Sequence, residues 1–177
     1  MRVRRILASL RDRSGVAAVE FALIAPIFIA MVFGLFEGTR ATLAYLKVIA
    51  AAQSVADLVT QQKQVTNSDL NDYVSAGQLI MKPLPAAALG FVITSVKFDP
   101  NTGAATVDWQ KAVGATPPAN SVETALAANY GVKGESVVIV QATYTYTSPI
   151  DFVLPASLTI TDTAFSRPRI VPAVPLQ

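Results

Sequence analysis

The apolar positions of the chain follow two regimes. From Val16 to Phe36 they form one run broken by a single charge, Glu20. As a helix rising ~1.5 Å per residue, those 21 residues would span about 31 Å, close to the ~30 Å hydrocarbon core of a bilayer. Past Phe36, Leu43, Leu46, Ala50, Val55, Leu58 and Val59 recur mostly at steps of three and four, with Lys47, Gln53, Asp57 and Gln61 between them. Neither Gly nor Pro occurs from 39 to 64. One helix from about 16 to 64, roughly 70 Å long, is therefore predicted. Its first half suits lipid and its second half suits packing on a soluble domain. Pro26 removes a backbone hydrogen bond and predicts a kink.

The remainder switches between helical and strand periods. Asn67-Ser68-Asp69 can cap a short helix over about 69–81, with Leu70, Tyr73, Val74, Ile80 and Met81 near one face, ended by Pro83 and Pro85. FVITSVKF (91–98) reads as a strand, DPNTG (99–103) as a turn and ATVDWQ (105–110) as the hairpin partner. Asn120 followed by Glu123 resembles a capping box for a helix to about 130, with Gly131 at C′. ESVVIVQATYTYT (135–147) predicts a long strand. It sets Val138, Val140, Ala142, Tyr144 and Tyr146 on a buried face and Gln141, Thr143, Thr145 and Thr147 on a wet one. SPIDFVLP reads as a bend, LTITDTAF (158–165) as the last strand, and the Pro-rich tail from Arg167 as irregular.

The expected fold class is pilin-like α+β: a long N-terminal helix packed on a small antiparallel sheet of about four strands, with a single-pass membrane anchor. The organisation expected is a basic leader over 1–15 and a transmembrane helix over 16–36 that continues to about 64. An extracytoplasmic domain over 65–166 and a tail over 167–177 complete it.

Composition sharpens this. The chain is 52% hydrophobic and only 15% charged, with a mean hydropathy of +0.44. Its net charge of +2 hides an asymmetry. Residues 1–15 carry five arginines against Asp12, net +4, and the rest carries nine basic and eleven acidic side chains, net −2. The basic pI thus belongs to the leader, and a nucleic-acid surface loses its support. There is no Cys and no His, which removes disulfides, thiol chemistry, the commonest general base and the commonest metal ligand. Neither a cofactor nor a metal site is expected.

Asp99 and Asn101 imitate the start of a calcium loop, but Gly103 holds the fifth position and no Glu closes it, so a turn is favoured. For an anchored enzyme only a carboxylate pair meeting in space remains, such as Asp99 with Asp108 across the hairpin. Trp109 and the tyrosines read as sheet packing rather than as a stacking platform for sugars or bases.

The apolar run differs from a secretory signal peptide, because helix-forming sequence continues beyond it without an A-x-A-like site. The five leader arginines, against only Arg40 and Lys47 soon after the span, place the N-terminus in the cytoplasm and the remaining residues outside the inner membrane. Small residues recur every fourth place at Ala22, Ala30, Gly34, Gly38 and Thr42, with Pro26 in the remaining place. Gly34 and Gly38 form a GxxxG, and Ala30, Gly34 and Gly38 are candidates for close helix contact.

With Gly15 followed by an apolar helix, Glu20 at its fifth position and Phe21 beside it, the N-terminus resembles the class III signal of type IV pilins and pseudopilins. The fuller GVAAVEFALIAPIF, preceded by RDRS, is closer still to the TadE-like minor pseudopilins of the tight-adherence (Tad/Flp) pilus system, in the TadE/TadG-like family. VQATYTYTSPIDF and LTITDTAFSRPR resemble more loosely the end of that family.

The resemblance implies a non-enzymatic structural subunit, a minor pilin or pseudopilin for pilus assembly. It implies a prepilin peptidase that cuts between Gly15 and Val16, and as further partners other pilins, the inner-membrane assembly platform and membrane lipid. Gly15 lets the backbone extend into a protease cleft at little steric cost. Glu20, about one turn into the bilayer, would meet the new Val16 ammonium of a neighbouring subunit and set the register between helices. The alternative is an uncleaved, single-pass anchored extracytoplasmic binding protein, in which Glu20 snorkels to the interface.

Overall fold

The computed structural model of the chain describes residues 14–150 and 156–177. The leader arginines and most of the bend expected at 148–155 lie outside the described residues. Helix α1, Ser14–Thr60, forms the stem and runs through Pro26 as one element. Helix α2 (Asn67–Ile80) and a 3-10 turn (Ala86–Ala88) precede strands β1 (Leu89–Phe98) and β2 (Ala105–Val113). Helix α3 (Asn120–Ala127) leads to β3 (Ser136–Thr147) and β4 (Ser157–Ser166).

The four strands form one antiparallel sheet ordered β2-β1-β3-β4. Ile93 faces Val140 across β1 and β3, and Tyr144 faces Ile160 across β3 and β4. Between β1 and β2 the register slips after the Ser95–Trp109 pair, leaving Asp108 as an extra residue on this edge strand. Asp108 is held by Lys97 at 2.8 Å.

The stem crosses one face of the sheet. Its inward face carries Ala44, Val48, Ala51, Ala52, Val55 and Val59, all buried, and the alanines let the helix lie close to Phe91, Ile93, Val138, Val140 and Tyr144. Burial at about 25 cal/mol per Å² of apolar surface makes this seam the main source of stability. The alternation expected in β3 is observed, with Tyr144 and Tyr146 buried and Thr145 and Thr147 exposed.

The opposite face is not simply wet, contrary to the expected helix on one side. Val96, Phe98, Val137 and Ile139 form a second core under Ala127 of α3. The stretch reads as one-sided only if Tyr144 and Tyr146 are weighed without Val137 and Ile139, which face the other way nearer the start of the strand.

Several boundaries differ for tertiary reasons. The stem ends at Thr60, not about 64. There the Thr60 hydroxyl bonds back to the Ala56 carbonyl and meets Ser166, while Arg169 donates its amide to the Thr60 carbonyl. The N-cap of α2 is Thr66, whose side chain and that of Asp69 cap reciprocally. The α3 capping box is not formed: Ala119 is the N-cap without a side-chain bond, and Glu123 turns inward. Helix α3 ends at Ala127, so Gly131 is not its C′ residue. Gly131 instead lies against Phe98, where a Cβ would collide with the ring.

The tail from Arg167 has no helix or strand of its own, yet Val174 is fully buried. Trp109 donates its indole N–H to the Val174 carbonyl at 2.8 Å, and Val65 pairs in parallel with Leu176. Asp99 accepts from the Asn101 and Thr102 amides and the Thr102 hydroxyl, which draws its pKa below the usual carboxylate value and commits it to its turn.

Candidate functional site

The stem divides at Glu37. From Gly15 to Phe36 no residue is buried, and Phe21 and Leu35 are each 71% exposed. A core helix of a soluble protein buries an apolar stripe; this one offers apolar side chains all round. Among the described residues it is the one helix long and apolar enough to cross a membrane, and the character is that of a single-pass anchor.

Gly15 and Val16 lie exposed in the first turn of α1. That turn has backbone N–H groups without helical partners and is the least costly part of the stem to unwind. Glu20 and Phe21 follow on the exposed surface. Among the described residues Glu20 forms no ion pair within the chain.

Ala30 and Gly34 are half-exposed and Gly38 is exposed. Gly34, Gly38 and Thr42 floor a groove of ≈ 520 Å³ with Leu35, Leu43 and Leu46 among its walls. The hydroxyls of Thr39 and Thr42 donate to the Leu35 and Gly38 carbonyls, each at 2.8 Å. Their hydrogen-bonding capacity is turned back into the helix, which leaves the groove apolar. A Cβ added at Gly38 would meet nothing within 4 Å.

Glu37 is the first buried residue of the stem and is fully inaccessible. Its Oε2 accepts from the Tyr146 hydroxyl at 3.1 Å and from the Ser148 hydroxyl at 2.8 Å. Its Oε1 and the nearby Arg40 Nε are buried without a hydrogen-bond partner. The Arg40 guanidinium lies 5.6 Å from the centre of the Phe36 ring, a cation–π distance. Burial, then the bond to Glu37 and its charge, push the Tyr146 phenol up from its ordinary pKa. In the sequence Glu37 belongs to no motif and no periodic face. Its one distinguishing sign was position, as the first acid beyond the apolar run.

A second buried acid, Glu123, lies between α3 and the sheet. Its Oε1 accepts from the Thr94 hydroxyl at 3.1 Å and lies 3.5 Å from Gln110 Nε2, while its Oε2 is unpartnered. Burial pushes this carboxyl up, against the opposing pull of those two bonds. Asp99 and Asp108 are engaged separately, one in its turn and one with Lys97, and are not assembled as a pair.

Residues 15–57 match the family model described as TadE-like protein. The match covers nearly all of the stem and includes Gly15, Glu20 and Phe21, so the TadE-like resemblance is shown over that segment. The looser likeness at 138–169 lies outside it. No curated protein and no solved structure matches the chain.

Proposed function

We propose that this chain is a minor pilin or pseudopilin, a structural subunit for assembly or initiation of a Tad/Flp-type pilus. One observation carries the reading: Gly15, Glu20 and Phe21 stand at pilin-signal spacing on an apolar helix that exposes all of them, within the TadE-like match. A prepilin peptidase cuts between Gly15 and Val16 after the first turn unwinds. The leader holds the N-terminus in the cytoplasm of a bacterial inner membrane, and the head lies outside it.

Glu20 pairs with the freed Val16 ammonium of a neighbouring pilin, because an unpaired charge at that depth costs several kcal/mol. Ala30, Gly34 and Gly38 supply the close helix contact. Gly in a helix interior costs roughly 0.5–1 kcal/mol against Ala, and no neighbour within the chain requires Gly38 to be small. A neighbouring helix in the apolar groove accounts for it. The assembly platform and lipid are the other partners.

Glu20→Ala tests this. Co-purification with other pilins and the number of pili per cell should fall by about tenfold or more, the factor that ~1.4 kcal/mol of lost pairing carries. Unchanged assembly would remove the role given to Glu20.

A further inference from the structure

We propose that Glu37 is a positioning residue that latches the membrane stem to the head and fixes the angle between them. This goes beyond the subunit reading and does not depend on cleavage after Gly15.

Below Glu37 no described stem residue is buried, and the next buried one is Ala44, about 10 Å further along the helix. Glu37 is thus the lowest point at which the sheet grips the stem. The grip comes from the end of the central strand: Tyr146 lies in β3 and Ser148 just beyond it, and both hydroxyls converge on one carboxylate oxygen.

The choice of residue bears on its use. A well-packed apolar side chain at a buried site often matches or exceeds a buried charge in stability. Glu37 even leaves Oε1 unpartnered. What a carboxylate adds is direction, because charge-assisted hydrogen bonds hold a narrow geometry, whereas apolar contacts tolerate rotation and sliding. The lever is long. The exposed segment Gly15–Phe36 extends about 33 Å at ~1.5 Å per residue. With the grip at Glu37 removed, the pivot moves up to Ala41 and Ala44, the next stem residues packed on the core, and the whole membrane segment can swing from there.

The test is a spin-label distance in the full chain reconstituted in lipid nanodiscs. The sequence contains no cysteine, so Met31→Cys and Thr145→Cys give one label on the exposed span and one on the exposed head. Thr106→Cys with Ser121→Cys, both exposed within the head, is the control pair. The wild-type stem–head distance should be a single narrow peak. Glu37→Leu should lose that peak for a broad distribution. Tyr146→Phe with Ser148→Ala should lose it too, with the control pair unchanged. Glu37→Gln keeps an oxygen that accepts the same two bonds but loses the charge, so its distribution should fall between those of wild type and Glu37→Leu. The double variant also removes the bonds of the Ser148 hydroxyl to the Ile150 carbonyl and amide. Tyr146→Phe alone leaves that turn intact and should broaden the peak part of the way, and it decides the matter should Glu37→Leu disturb the control pair. A peak as narrow as wild type in Tyr146→Phe, in the double variant, or in Glu37→Leu with an intact control pair, would overturn the latch.

Discussion

The hydroxyl of Tyr146 donates to Oε2 of Glu37 at 3.1 Å, joining the end of the central strand to the stem across 109 positions of sequence. Both residues are buried, at 1% and 0% exposure, so water does not replace the bond when it is lost. Tyr146→Phe keeps the ring and removes the donor. It should destabilise the head by about 1.5–3 kcal/mol, the usual range for a hydrogen bond to a charged group. Urea unfolding of the full chain in detergent, followed by the fluorescence of its single tryptophan, Trp109, reads this directly. A midpoint equal to wild type would mean that Ser148 alone carries the junction.

Glu123 makes stability depend on pH with a definite sign. Its carboxyl is pushed up in the folded chain by burial, so folding favours the protonated form. The stability this group contributes is present below the ordinary glutamate value and is lost as pH rises through the raised one. Glu123→Gln should therefore raise the melting temperature at neutral and mildly alkaline pH, with the gain shrinking as the solution is acidified. A gain independent of pH would place the cause in packing instead of ionisation.

Gly38 separates folding from assembly. A Cβ there meets nothing within 4 Å in the chain, so Gly38→Leu should leave the melting temperature of the head unchanged or slightly higher. The same change fills the apolar groove that the neighbouring helix would enter, and should weaken helix association by about 1–3 kcal/mol, the usual cost of overpacking. Association measured by energy transfer between labelled chains in detergent should show the loss. Equal association would point to a different stem face.

The elements legible in the sequence are those whose pattern is local. The 16–36 run, the alternation of Val138, Val140, Ala142, Tyr144 and Tyr146, and the DPNTG turn each follow from residues near in sequence, and each is found. Features set by distant partners were not legible. The stem stops at Thr60 because Arg169 and Ser166 meet it there, not because a Gly or Pro intervenes. Glu123 has the spacing of a cap, yet Thr94 and Gln110 draw it under the helix. Gly131 follows a helix, as a C′ glycine would, but is small because Phe98 occupies the space. Glu37 gave no periodic signal at all, since both donors come from strand β3 and its exit. The signal residues Gly15, Glu20 and Phe21 are the reverse case: they were legible as a motif, and the fold adds only that they are exposed.

The proposed role as a processed pilin-like subunit is tested most directly by the intact mass and N-terminal residue of the protein from membranes, with and without its cognate prepilin peptidase. A terminus at Val16 is expected with the peptidase, retention of the leader without it, and loss of cleavage when Gly15 is replaced by a bulky residue. An intact leader in both samples would contradict it and favour an anchored binding protein, with Glu20 reduced to a charge near the membrane edge.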